Sequence, residues 1–151
     1  APYQLTAAIV PLLKKAEAAR IINLSSAAQA PVSLDLLQSS TGLGANEAYA
    51  QSKLALTMWS FYLAKQEPAI TVVAVNPGSL LNTKMAEEAY GQHWSPAEKG
   101  VDIIYDLAVT DLAKTGTYFD NDKGFYSDAH PDAYDSTKIE ELIVVSNNIV
   151  L

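Results

Sequence analysis

Tyr49 and Lys53 stand four residues apart in the stretch Tyr49-Ala50-Gln51-Ser52-Lys53. On a helix, positions i and i+4 share a face, so a phenol and an ammonium would point into one pocket. A cation beside a phenol favours the phenolate, which makes Tyr49 a candidate proton donor or acceptor near neutral pH. The small neighbours Ala48, Ala50 and Ser52 would let a bulky planar ligand approach the helix. The chain also carries a control. Tyr134-Asp135-Ser136-Thr137-Lys138 has the same spacing, and with eight tyrosines one chance match is unsurprising. Tyr134 sits among Asp128, Asp132 and Asp135 with no strand-like run after it, and reads as the solvated start of a terminal helix.

Tyr49 lies between two strand-like runs. Residues 20–25 and 70–75 are continuous β-branched and apolar segments, as strands buried on both faces should be. The first run leads into Ser25-Ser26 and the second into Asn76-Pro77-Gly78, which must be a turn. A helix over 46–66, ended by Pro68, carries the Tyr/Lys pair. Residues 2–18 read as a helix with an apolar stripe at Leu5, Ala8, Ile9, Leu12 and Leu13, kinked by Pro11. Residues 26–45 read as loop, punctuated by Pro31, Gly42 and Gly44. A short helix is expected over 83–90. Ser95 followed by Pro96 reads as an N-cap with proline at the first helical position. The helix it opens runs to about Val109 and should bury Val101, Ile104, Tyr105 and Ala108. Residues 116–119 form a third short strand, a polar turn spans 120–124, and a last helix covers 135–146. This alternation predicts an α/β fold with a doubly wound parallel sheet.

At 151 residues, the chain reads as one domain. Ten basic residues against 17 acidic ones give a net charge of −7, which argues against a nucleic-acid partner. With no cysteine, disulfides, thiolate metal sites and cysteine nucleophiles are excluded, a composition that fits the cytoplasm. No apolar run approaches the roughly 20 residues of a membrane helix, and no signal peptide is visible. Asp120 to Gly124 has an aspect of a calcium loop, but its Gly comes one place early and Pro131 stands where the closing Glu belongs. It reads as a polar turn, and the alternating Asp128, His130 and Asp132 as a charged loop, so no metal site is expected. His93 and His130 are isolated and read as surface residues.

Taken together, these residues resemble the C-terminal part of the short-chain dehydrogenase/reductase family, in which the fold is of Rossmann type. Residues 1–15 look like the helix that follows the family's catalytic Asn. Residues 20–26 are similar to the strand that delivers its Ser, and Tyr49-x-x-x-Lys53 matches its active-site signature. Val75-Asn76-Pro77-Gly78 resembles its Pro-Gly turn under the nicotinamide, and Gly116-Thr117-Tyr118-Phe119 its last strand. The resemblance implies NADP or NAD as cofactor and a small carbonyl or alcohol substrate. Tyr49 would exchange a proton with the substrate oxygen. Lys53 would stabilise the Tyr49 phenolate and hold the nicotinamide ribose. Ser26 would orient the carbonyl, with Ser25 the alternative. Pro77, Gly78 and Thr83 would line the nicotinamide and pyrophosphate.

Three departures from the family pattern stand out. The Gly-rich phosphate turn, the residue selecting NAD from NADP and the catalytic Asn are missing from the chain, so the sequence reads as the C-terminal half of one such domain, a partial domain over residues 1–151. Ser26 precedes Tyr49 by 23 residues, which resembles the retinol-dehydrogenase-like and bacterial branch with an insertion there. The turn from Gly78 to Thr83 is one residue longer than usual. The leading reading is an NAD(P)-dependent oxidoreductase; the alternative is a non-catalytic Rossmann-like module that binds a partner, or a fragment complemented in trans. Residues 79–95 would cover the substrate, with Met85, Ala89, Tyr90 and Trp94 apolar. The helices over 2–18 and 46–66 read as carrying apolar outer positions such as Met58, Trp59 and Tyr62, and the family resemblance implies that such helices pair across a two-fold axis into a homodimer or homotetramer.

Overall fold

The two apolar runs pair side by side in one sheet. The computed structural model describes residues 1–39, 42–92 and 94–150. It lays Arg20–Leu24 (β1) parallel to Thr71–Asn76 (β2), with Ile21 opposite Val72 and Leu24 opposite Val75. Thr117–Asp120 (β3) continues the parallel sheet on the other side of β2, with Val75 opposite Phe119. A two-residue strand not anticipated from the sequence, Phe125–Tyr126 (β4), then folds back antiparallel on β3. The sheet order is β1-β2-β3-β4, so β1 forms one edge among the described residues.

Helices cover both faces. On one lie Pro2–Leu13 (α1), Ala45–Gln66 (α3) and Ser136–Val150 (α6). Leu54, Met58, Trp59 and Phe61 of α3 pack there on Ile21, Val72, Ala74 and Tyr118 of the sheet. On the other face Ala97–Val109 (α5) sets Ile103 and Leu107 against Val73, Val75 and Phe119. Leu54, Val72, Val73, Val75 and Leu107 are fully buried, each such side chain contributing roughly 1.5–3 kcal/mol relative to exposure. The result is the three-layer arrangement that a parallel sheet requires.

Several expectations are corrected. Helix α1 stops at Leu13 rather than residue 18, two residues beyond Pro11. Its core-facing residues are Tyr3, Thr6, Val10 and Leu13, while Leu5 and Leu12 point outward. The loop after β1 contains one helical turn, Leu34–Leu37 (α2). Met58 and Trp59 are not outer positions. The Tyr3 ring of α1 packs at a tilt on Trp59, centroids 5.4 Å apart, and α6 closes over the same helix, so both side chains join the core. Pro96, not Ser95, caps α5, because Ser95 is drawn into a bridge with Leu81. The buried face of α5 is Gly100, Ile103 and Leu107, leaving Val101 and Tyr105 exposed. That phase follows from Gly100, where a Cβ would stand 2.5 Å from Leu81 Cδ1. The bare hydrogen lets the helix press this face onto the segment after β2. His93, read as a surface residue, lies outside the described residues.

Candidate active site

The carboxyl ends of the three parallel strands define one rim, the usual place for ligands in open α/β sheets. Ser26 follows the end of β1, Pro77 follows β2, and the turn at 121–124 follows β3. Helix α3 brings Tyr49 and Lys53 to the same rim. The Lys53 Nζ donates to the carbonyl of Leu24, the last residue of β1, at 2.8 Å. It also stands 5.3 Å from the centre of the Tyr49 ring. The i and i+4 relation thus places the ammonium against the ring, and the link to Leu24 keeps it at the strand end. Burial pushes the Lys53 ammonium below its ordinary value.

The two serines are held differently. Ser25 is buried at 3% exposure, and its hydroxyl sits 2.7 Å from Thr57 Oγ1 and 3.2 Å from the Lys53 carbonyl. Both of its partners belong to α3, so Ser25 fastens strand to helix. The Ser26 hydroxyl is half-buried and accepts the nearby Ala28 amide at 3.1 Å, and among the described residues it donates to no partner, which leaves its proton available. Its backbone is fixed from two sides, with the Ser26 carbonyl accepting from Tyr118 Oη and from Gln29 Nε2, both at 3.0 Å. Burial first, and the nearby Asp120 carboxylate second, push the Tyr118 phenol well above its ordinary value, so it remains a donor.

The Asn76-Pro77-Gly78 turn is built by residues the sequence reading treated as an unrelated polar turn. Gly78 has φ 130°, a conformation that a side chain would strain, and its amide donates to Asn76 Oδ1 at 3.2 Å. The Asn76 amide is buried and donates to Asp120 Oδ1 and Asp122 Oδ2, each at 2.9 Å. Asp122 also accepts from the Ser79 amide at 2.9 Å and the Ser79 hydroxyl at 2.5 Å. Asn121 Nδ2 donates to the carbonyls of Pro77 and Lys99, both at 2.9 Å. Burial would raise the Asp122 carboxyl, but the bonds from Ser79 and Asn76 and the Lys99 ammonium at 3.7 Å outweigh it and hold the group below its ordinary value. Every one of these contacts spans more than 20 residues of sequence, apart from the local Gly78 bond, so no local pattern announces them.

Beyond the turn, the chain is pinched. Leu81 bridges Ser95, Asn82 N donates to the Ser95 carbonyl at 2.8 Å, and Trp94 N donates to the Leu80 carbonyl at 2.9 Å. Leu80 has φ 44°, the single non-glycine residue with positive φ among those described, and it falls within the lengthened turn. Thr83 caps Lys84–Tyr90 (α4), its hydroxyl accepting the Ala86 amide at 3.3 Å. Met85, Tyr90 and Trp94 are exposed.

The control pair does not assemble. Lys138 donates to Asp132 at 2.7 Å, while Tyr134 lies in the 3₁₀ turn Pro131–Tyr134 with its ring 5.3 Å from Phe61. His130 is half-buried rather than fully on the surface, and its Nδ1 accepts the Asp132 amide, capping that turn. Among the described residues no group of three or more His, Asp or Glu is placed to hold a metal ion. No helix among them is long and apolar enough to cross a membrane. A cavity of about 420 Å³ between α1, α2, α3 and α6 is lined by Lys53, Ser52 and Trp59 but by neither Tyr49 nor Ser26, so it meets the candidate site at Lys53 alone.

The family model described as short chain dehydrogenase matches residues 1–94. That stretch holds Ser26, Tyr49, Lys53 and the Pro77-Gly78 turn. The chain belongs to the short chain dehydrogenase family. Solved structures share its Rossmann-type fold. Salutaridine reductase from Papaver somniferum is 24% identical with a TM-score of 0.61, over 76% of this chain and 49% of that one. The NADPH-bound carbonyl reductase from chicken fatty liver is 25% identical with a TM-score of 0.63, over 85% and 52%. RhlG of Pseudomonas aeruginosa, solved as an active-site complex with NADP, is 30% identical with a TM-score of 0.54, over 82% and 52%. The chain therefore spans about half the length of these short chain dehydrogenase relatives. No curated protein matches it.

Proposed function

We propose that this chain is the catalytic half of an NAD(P)-dependent oxidoreductase that interconverts a small carbonyl compound and its alcohol. The observation that carries the reading is the Lys53 ammonium, held against the Tyr49 ring at the strand end that also delivers Ser26. Tyr49 gives a proton to the carbonyl oxygen during reduction and takes it back during oxidation. The Ser26 hydroxyl donates a hydrogen bond to that oxygen and fixes its position. Lys53 stabilises the phenolate that remains and holds the ribose hydroxyls. The residues present fit the nicotinamide end of such a cofactor: a cation and a phenol side by side, with Pro77 and Gly78 on the neighbouring strand end and Thr83 beyond them. When bound, the nicotinamide supplies the hydride, and the protein supplies geometry and the proton. NADP, named in two of the similar structures, is the first cofactor to test and NAD the second. Exposed Met85, Tyr90 and Trp94 beyond the turn favour an apolar substrate.

The test is cofactor consumption at 340 nm by the full-length protein over a panel of aldehydes and ketones. Tyr49→Phe should retain the fold and lower kcat by about 10²–10⁴-fold, the usual share of general acid catalysis. Wild-type turnover by Tyr49→Phe would overturn the assignment.

A further inference from the structure

The turn after β2 is tied chiefly to the end of β3. Asn76, Pro77 and Ser79 send their side-chain amide, carbonyl and hydroxyl to three consecutive residues, Asp120, Asn121 and Asp122, more than 40 residues away. The backbone follows the same route, with Asn121 N donating to the Asn76 carbonyl at 3.0 Å and Ser79 N to Asp122. From the opposite side Leu81 presses on Gly100, and Lys99 contributes its carbonyl to Asn121 and its ammonium to Asp122. Asp122 is the junction, since one carboxylate receives Asn76, both donors of Ser79 and the Lys99 charge. Next along the chain is Leu80 at positive φ, a conformation that persists only where its surroundings impose it.

We propose that Asp122 is a positioning residue: it latches the Pro77-Gly78-Ser79 turn onto the end of β3 and so fixes the surface that the nicotinamide would rest on. The latch is a structural statement about this chain; its consequence for cofactor binding rests on the function proposed above. Without the carboxylate, Ser79 loses both acceptors and the turn keeps only the Asn76 and Asn121 bonds to the end of β3. Asp122 itself lies beyond the turn and need not touch substrate or cofactor.

The experiment separates the two claims. Amide exchange at Gly78 and Ser79 is followed by NMR in the full-length protein, wild type against Asp122→Ala, Asp122→Asn and Ser79→Ala, alongside titration with NADPH and NADH. Loss of its bond to the Asp122 carboxylate should speed exchange at the Ser79 amide by about tenfold or more, and Gly78, whose amide bonds Asn76, should follow as the turn loosens. The Asn82 amide, bonded to Ser95, and the strand amides of β2 should keep their protection. Affinity for the preferred cofactor should fall by a similar factor, with a smaller effect for Ser79→Ala. Should Asp122→Ala fail to fold, Asp122→Asn, which keeps one acceptor oxygen but loses the charge, and Ser79→Ala, which loses only the hydroxyl bond, should each speed exchange by a smaller but measurable factor. Wild-type exchange at Gly78 and Ser79 in the folded variants would overturn the latch. Faster exchange with unchanged affinity would keep the latch and remove its role in cofactor binding. Faster exchange in a protein whose wild type binds neither cofactor would keep the latch and overturn the proposed function.

Discussion

Two adjacent serines with opposite environments invite a paired substitution. Ser25→Ala removes a hydroxyl that is 3% exposed and lies within bonding distance of Thr57 Oγ1 and the Lys53 carbonyl. Thr57 keeps its own bond to the Lys53 carbonyl at 2.9 Å, so no buried donor is orphaned. The loss is then one or two neutral hydrogen bonds, about 1–2 kcal/mol. In a domain of this size about 1 kcal/mol moves Tm by roughly 2–4 °C, so Ser25→Ala should melt about 2–8 °C lower. Its turnover should stay within a few-fold of wild type, because the strand and helix it joins remain packed through Leu54 and Val72. Ser26→Ala removes a half-buried hydroxyl that accepts a single local amide, so its Tm should move by no more than a degree or two. Its kcat should fall by about a hundredfold, the usual loss on removing a donor to the reacting oxygen. Thermal unfolding and steady-state rates on the two purified variants decide the matter. A Ser25→Ala enzyme that is stable and inactive, beside a Ser26→Ala enzyme that is unstable and active, would refute the reasoning.

Other outcomes follow from the same geometry. Tyr118→Phe deletes one of the two bonds to the Ser26 carbonyl; kcat should drop several-fold and stability by about 1 kcal/mol, read from rates and urea midpoints. Tyr134→Phe and Lys138→Ala should leave turnover at the wild-type level, since that pair does not assemble; a loss of activity in either would mean that the wrong pair has been assigned. Asp122 is held below its ordinary value in the fold, so the stability it lends is present at neutral pH and above the unfolded carboxylate value of about 3.9. That contribution is lost as pH falls through the lower folded value. The urea-midpoint advantage of wild type over Asp122→Asn should therefore be constant from pH 7 to about 5 and shrink below about 4.

The framework of the fold was legible because burial on both faces leaves a plain mark. The run at 70–75 is the central strand expected of it, whereas the run at 20–25, equally apolar, lies at the sheet edge among the described residues with Leu24 exposed; the ends of both located the rim. The i, i+4 spacing of Tyr49 and Lys53 was equally readable, because a helix converts that spacing into contact. What escaped was whatever depends on partners distant in sequence. Residues Phe125 and Tyr126 are too few to show a period, and become a strand only because the turn before them folds them back on β3. Met58 and Trp59 look like an outer face until α1 and α6 are laid over them. The phase of α5 is decided by the Leu81 side chain against Gly100, which no count of apolar positions along the helix reveals. The Asp120-Asn121-Asp122 turn was visible as a turn, but its bonds to Asn76 and Ser79 were not.

The pinch at Leu81 and Ser95 has an evolutionary consequence. Because the chain is already closed at that neck, the residues after the Thr83 cap can be replaced, lengthened or shortened without moving the ends that meet the core. Doubling such a loop costs only about 0.6 kcal/mol in closure entropy, well within what a domain with this interior tolerates. The stretch that carries α4 is in effect an exchangeable cassette. A lineage could change what enters above the rim by rewriting that stretch, while the Tyr49 and Lys53 chemistry below stayed as it is.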